Sequence, residues 1–257
     1  MGLNSGAVNS FISAAASDES LSPERLDDSL SVMDPQVLFI IGAVVLFVVM
    51  AYMGHLQAKK RREAFQRLAD ELGFRFAPAK DARLAQRFGF LEHMDDGHRR
   101  YAFNVLYGRD QADQAVHIFD YHYETYSRDS KGRRTTHHHY FSIFTLELPT
   151  RLPELTIERE GFFSKIGQAL GFDDIDFESL EFSKRYQVKS RDKKFAYDFC
   201  NAQMIDYLLR QRDLIIEVDG DVLALTFKGK LSIQEIRPNY ERLLQVRGLL
   251  PDYIFNP

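Results

Sequence analysis

One stretch of the chain breaks the ordinary mixture of polar and apolar positions. From residue 35 to residue 54 there is no charged side chain, and positions 37–53 are apolar on every helical face. About 20 residues at about 1.5 Å each make roughly 30 Å of helix, the thickness of a bilayer's hydrocarbon layer. A core helix of a globular protein normally keeps a polar side, so the pattern predicts a transmembrane helix over 35–54. Asp34 and Pro35 suit its start, because Asp caps a first turn and Pro is tolerated at the first helical position. What precedes the span is long and acidic, unlike the short basic leader of a cleavable signal peptide.

Helical spacing continues beyond the span. Phe65, Leu68, Ala69 and Leu72 recur on one face and Gly73 is a natural residue to follow a helix end, so a basic juxtamembrane helix is expected over 55–73. The period then changes. A short strand at 74–76 and a short helix near 81–87 lead into three long runs of aromatic and β-branched residues, 100–107, 116–126 and 135–148. Polar loops at 108–114 and 127–134 join them into an antiparallel meander, which Pro149 and Pro153 are expected to end. A strand at 155–160, a helix at 161–170, a strand at 184–189 and a helix at 193–210 capped by Ser190 or Asp192 come next. Residues 214–218 and 222–227 read as a hairpin across Asp219-Gly220-Asp221. A helix over 232–246 closes the body, with Pro238 kinking it or resetting its start.

The fold class is therefore α+β: an N-terminal transmembrane helix, a mostly antiparallel sheet with a meander of three long strands, and a C-terminal β-α-β-β-α portion resembling part of a split βαβ arrangement. The domains are a mobile acidic tail (1–34), the span (35–54), the juxtamembrane helix (55–73) and a body (74–257). If the body divides, its subdomains meet near 149–180.

Composition changes this picture little. With 45% apolar and 27% charged residues, the chain is neither a disordered polymer nor a coiled-coil rod. A single cysteine excludes an intramolecular disulfide framework. Charge adds more. The net −4 divides into −5 over residues 1–36, where six acids meet only Arg25, and +1 over the rest. A near-neutral body gives no footprint for nucleic acid. Lys59, Lys60, Arg61, Arg62 and Arg67 crowd the C-terminal side of the span, so the positive-inside rule predicts a single-pass protein of the cytoplasmic (inner) membrane, with its N-terminus outside and its body in the cytoplasm. The bilayer is the first expected partner. The cluster Lys59, Lys60, Arg61 and Arg62 could also touch anionic headgroups, or only fix topology. In the tail, Ser22-Pro-Glu suits a short helix. Met-Gly at the start does not signal myristoylation, because Gly6 stands where Ser or Thr is required.

Several segments together carry a resemblance: Leu152-Pro-Glu-Leu-Thr-Ile-Glu-Arg-Glu160, Lys165-Ile-Gly167, Asp174-Ile-Asp-Phe-Glu-Ser179 and Phe182-Ser-Lys-Arg-Tyr-Gln-Val188. In these, residues 56–250 resemble an uncharacterised family of bacterial single-span membrane proteins with a cytosolic α+β body. The resemblance implies topology, a bacterial origin and architecture. It transfers no catalytic residue.

Four histidines lie in the second and third strands of the meander: His122, His137, His138 and His139. If Tyr126 pairs with Thr135, His122 faces His139 and Glu124 faces His137 on one side of the sheet, within reach of a shared transition metal. A slip of one residue would replace His139 with His138. The alternative is a sheet with one aromatic face, Phe119, Tyr121, Tyr123, Tyr140 and Phe144, which leaves His122, Glu124, His137 and His139 on a wetter side with nothing to bind. The acidic loop Asp173, Asp174, Asp176 and Glu178 lacks EF-hand spacing and alternates with Ile175 and Phe177, so a solvated edge is expected. Ser190 and Lys193 match Ser-x-x-Lys without its companion motifs, and a helix cap is the simpler role. Cys200 reads as a packed thiol, and Arg128, Lys131, Arg133 and Arg134 as a solvated loop tip. No phosphate loop, nucleophile elbow or kinase set is present. The reading is a non-enzymatic interaction or scaffold domain, tethered at the cytoplasmic membrane face with an unknown protein partner and no cofactor. The alternative is a metal-dependent enzyme or metal sensor.

Overall fold

The computed structural model describes residues 34–91, 94–159, 175–211 and 214–256. The acidic tail, the expected helix at 161–170, Asp173 and Asp174 lie outside them. The chain forms two compact units, Met1–Lys59 and Lys60–Pro257.

Helix α1 runs unbroken over Pro35–Leu72. Among the described residues it is one helix long and apolar enough to cross a membrane. Phe39 is 78% and Phe47 72% exposed, so among the described residues nothing covers this apolar surface. Its last turn ends as the sequence indicates: Gly73 takes φ +70° and the Phe74 amide reaches back to the Ala69 carbonyl at 2.8 Å.

The second unit is α+β. Strand β1 (Arg75–Ala77) and helix α2 (Ala82–Arg87, capped by Asp81) precede β2 (His98–Arg109), β3 (Ala115–Arg128) and β4 (Arg134–Arg159). Then come α3 (Leu180–Arg185), β5 (Tyr186–Ser190), α4 (Lys193–Phe199), α5 (Ala202–Leu209), β6 (Ile215–Lys228), α6 (Ile233–Gly248) and a final 3-10 turn, Asp252–Phe255. All pairings in the six-stranded sheet are antiparallel, in the order β1-β2-β3-β4-β5, with β6 on β4.

Four local expectations need correction. The prolines do not end the third strand: β4 continues through Pro149 and Pro153. Its pairing with β3 stops at Leu146 and that with β5 begins at Leu155. The prolines fall in that gap, where a missing N–H removes no ladder bond on that side. Nor is there a hairpin at 219–221. Gly220 has the positive φ the turn signal asks for (+58°), yet β6 runs on past it and pairs with β4 from Phe141↔Lys228 to Ile157↔Ile216. Register shifts between Glu147 and Leu155 lie opposite Gly220, so the two long strands bend together. The expected helix 193–210 is two helices, because Asn201 caps a new one by accepting from the Met204 amide at 3.0 Å. The expected strand at 184–189 starts later, after α3. By contrast α6 passes through Pro238 and starts where expected, with the Ser232 amide and hydroxyl both donating to Glu235.

Both sheet faces carry apolar layers. On one, Phe65, Leu68 and Ala69 of α1 and Ile236, Leu243 and Val246 of α6 join Ile118, Phe144, Leu146, Leu223 and Leu225 of the sheet in one core. On the other, Phe88, Leu91 and Met94 cover Phe119, Tyr121, Phe141 and Ile143.

Candidate functional site

Strands β3 and β4 pair Tyr126 with Thr136, one residue away from the register expected. His122 therefore faces Tyr140, and Glu124 faces His138. Because side chains alternate along a strand, one face carries Val116, Ile118, Asp120, His122 and Glu124 beside Leu146, Phe144, Ser142, Tyr140 and His138. The face starts in the apolar core and turns polar toward the 129–133 turn.

His137 and His139 belong to the opposite face. His139 shares a 2.8 Å hydrogen bond with Thr125 and stacks on Tyr123, and His137 shares one of 2.7 Å with Ser127. They do not join His122 and Glu124. Tyr140 and Phe144 likewise leave the aromatic set expected opposite His122. That side is not wet either: His122 is 2% and Glu124 6% exposed.

His122, Glu124 and His138 converge, with one ligand-type atom from each lying within 4.8 Å of the others. His122 Nε2 is 3.0 Å from His138 Nδ1, which is 3.7 Å from Glu124 Oε1. The second Glu124 oxygen lies 3.5 Å from Arg99 Nη1 and 3.9 Å from His98 Nε2. Tyr101 stacks on the His122 ring at 4.6 Å, and Tyr140 packs against it at 4.9 Å. The Lys80 ammonium sits 4.1 Å over the Tyr101 ring. Burial, then the neighbouring His138, push the His122 pKa below its usual value, although the Arg99 backbone and Glu124 favour the charged ring. At neutral pH His122 is an uncharged imidazole with one ring-nitrogen lone pair to offer.

Deeper on the same face, one carboxylate ties four segments. Asp120 is 1% exposed. Its Oδ2 accepts from Arg61 Nη2 of α1 at 3.1 Å and from Asn104 Nδ2 of β2 at 2.9 Å, and its Oδ1 accepts from Ser142 Oγ of β4 at 2.9 Å. Ser142 Oγ in turn accepts from the Leu231 amide, beyond β6, at 3.0 Å. Asn104 takes φ +51°, a left-handed conformation that Asn tolerates better than most residues. Sequence reasoning missed this group. Its signal was an acid with the same strand parity as Val116 and Ile118, hence at an inward position. With three donors on it, Asp120 is spoken for as a structural anion.

The remaining candidates resolve as ordinary structure. Ser190 is buried and donates to the Glu154 carbonyl, while Asp192 caps α4 by accepting from the Phe195 amide. Cys200 is 3% exposed and burial raises its thiol pKa, which removes the reactive thiolate. Ile175 and Phe177 point inward and Asp176 and Glu178 outward, as the alternation indicates. Asp129 closes the basic loop, accepting from the amides of Lys131 and Arg133. On the opposite sheet face Arg87, Phe88, His117, Glu147 and Asp221 help to line a cleft of about 40 Å³, room for water rather than for a metabolite.

No family model matches the chain, and no curated protein matches it. Among solved structures, the chain is similar in fold to the mycobacterial trehalose monomycolate transport factor A, TtfA. The TM-score is 0.54 at 14% sequence identity, over 75% of this chain and 93% of that one.

Proposed function

We propose that the chain is a membrane-anchored, non-enzymatic interaction protein serving a transport process at the cytoplasmic membrane, its N-terminus outside and its body in the cytoplasm. The observation that carries the reading is the apolar, uncovered half of α1 joined without a break to a helix that seeds the core of a body shaped like a known transport factor. The basic cluster after the span supports the orientation. Arg61 is held by Asp120, so contact with anionic headgroups falls to Lys59, Lys60 and Arg62. The fixed hydrogen bonding of Ser190, the buried Cys200 and the fully engaged Asp120 support a non-catalytic role.

The test is affinity purification of the full chain from membranes in mild detergent. A membrane transport protein recovered in constant ratio across several detergents is the expected outcome. A chain recovered alone in all of them, or one found in the soluble fraction, contradicts the proposal.

A further inference from the structure

We propose that His122, Glu124 and His138 form a binding site for a first-row divalent transition metal such as zinc, with a coordination position left for water or an outside donor. This does not depend on the transport reading. Zinc holds nitrogen and oxygen ligands at about 2.0–2.2 Å, so tetrahedral ligands stand roughly 3.4 Å apart. The separations of His138 Nδ1 from His122 Nε2 and from Glu124 Oε1, 3.0 and 3.7 Å, bracket that value. The strand register makes the arrangement rigid: His122 and Glu124 are two apart on β3, and His138 lies directly across from Glu124. The 3.7 Å between His138 Nδ1 and Glu124 Oε1 is too long for a hydrogen bond and suits a cation shared between them, which would replace the 3.0 Å hydrogen bond that His138 Nδ1 now shares with His122 Nε2.

The surroundings fit. Two imidazoles and a carboxylate suit zinc, cobalt, nickel or copper better than magnesium or calcium. Arg99 donates to the second Glu124 oxygen at 3.5 Å, as an outer group orients a ligating carboxylate, and His98 Nε2 lies 3.9 Å from the same oxygen. Tyr101 and Tyr140 flank His122, whereas the His138 side chain is 53% exposed and gives an ion a way in. Lys80, over Tyr101, is a nearby cation that works against binding, so the affinity is set by the three ligands against that charge.

The experiment uses the full chain purified in detergent, untagged and stripped with a chelator, then titrated with Co²⁺ and with Zn²⁺. The expected result is one equivalent of Co²⁺ bound with visible d–d absorption, displaced by Zn²⁺, and a rise in thermal midpoint with Zn²⁺. His138→Ala, at an exposed position that leaves the fold intact, weakens binding by about tenfold or more. His137→Ala and His139→Ala, on the opposite face, bind as the parent does. The proposal is overturned if neither ion gives absorption or a thermal shift. It is equally overturned if His139→Ala weakens binding as much as His138→Ala.

Discussion

At the scale of single residues, Asp120 is the group whose removal the fold should feel most. A buried ion pair earns little net stability as a pair, but deleting one member leaves its partners unsatisfied. Asp120→Ala strands Asn104 Nδ2 and Ser142 Oγ and leaves Arg61 with a quarter of its side chain in water, so part of the charge is still solvated. We expect a loss of about 2–3 kcal/mol in the denaturant unfolding of the full chain. A loss below about 0.5 kcal/mol, the level of an ordinary surface change, would mean that the carboxylate is incidental. His117 contributes to the acid side of stability. Burial first, and Arg87 second, lower its pKa from 6.5 to about 4. The native state therefore binds fewer protons than the unfolded state between those values. This group costs nothing above about pH 6.5; stability then falls as pH drops toward 4, and the loss reaches roughly 3 kcal/mol at the acid limit. His117→Gln should flatten the fall in thermal midpoint between pH 7 and 4.5, and an unchanged slope would assign the acid sensitivity to other groups.

At the scale of elements, close approaches decide which glycines are replaceable. A Cβ on Gly108 would lie 2.3 Å from the Phe74 ring, which packs over β2 from the start of β1. Phe74 is itself part of the core and stacks edge-on to Tyr240 of α6, so it has little room to move. Gly108→Ala should destabilise by about 1–3 kcal/mol, while Gly132→Ala, with open space around it but φ +77°, loses only the smaller strain of a left-handed alanine. Equal effects at the two positions in thermal unfolding would contradict the packing argument. Elements were largely legible in the pattern of residues. The span, the Gly73 stop, the three long strands and the start of α6 follow from local chemistry. What failed was long-range. Pro149, Pro153 and Gly220 carry true local signals, but whether a proline or a left-handed glycine ends a strand or merely bends it depends on what lies across the ladder. The candidate site failed in the same way: residue types were right, and a register displaced by one exchanged His139 for His138, because the 129–133 turn that sets the register is closed by Asp129, a contact with no advance signature in the hydrophobic pattern.

For the whole molecule, the proposed arrangement is a cytoplasmic body tethered by one span, with the charge just after the span setting its direction. Arg61 belongs to the core of the body through Asp120, so the topogenic charges to test are Lys59, Lys60 and Arg62. Replacing those three with Gln should yield mixed orientation without unfolding the body, and uniform orientation would credit the wrong residues. The most direct measurement places one cysteine at Ser20, before the span, and in a second protein one at exposed Ser130, then adds an impermeant maleimide to intact spheroplasts. The native Cys200 is buried and stays silent. Labelling is expected at Ser20 in intact cells and at Ser130 only after lysis; labelling at Ser130 before lysis would place the body outside and contradict the proposed orientation.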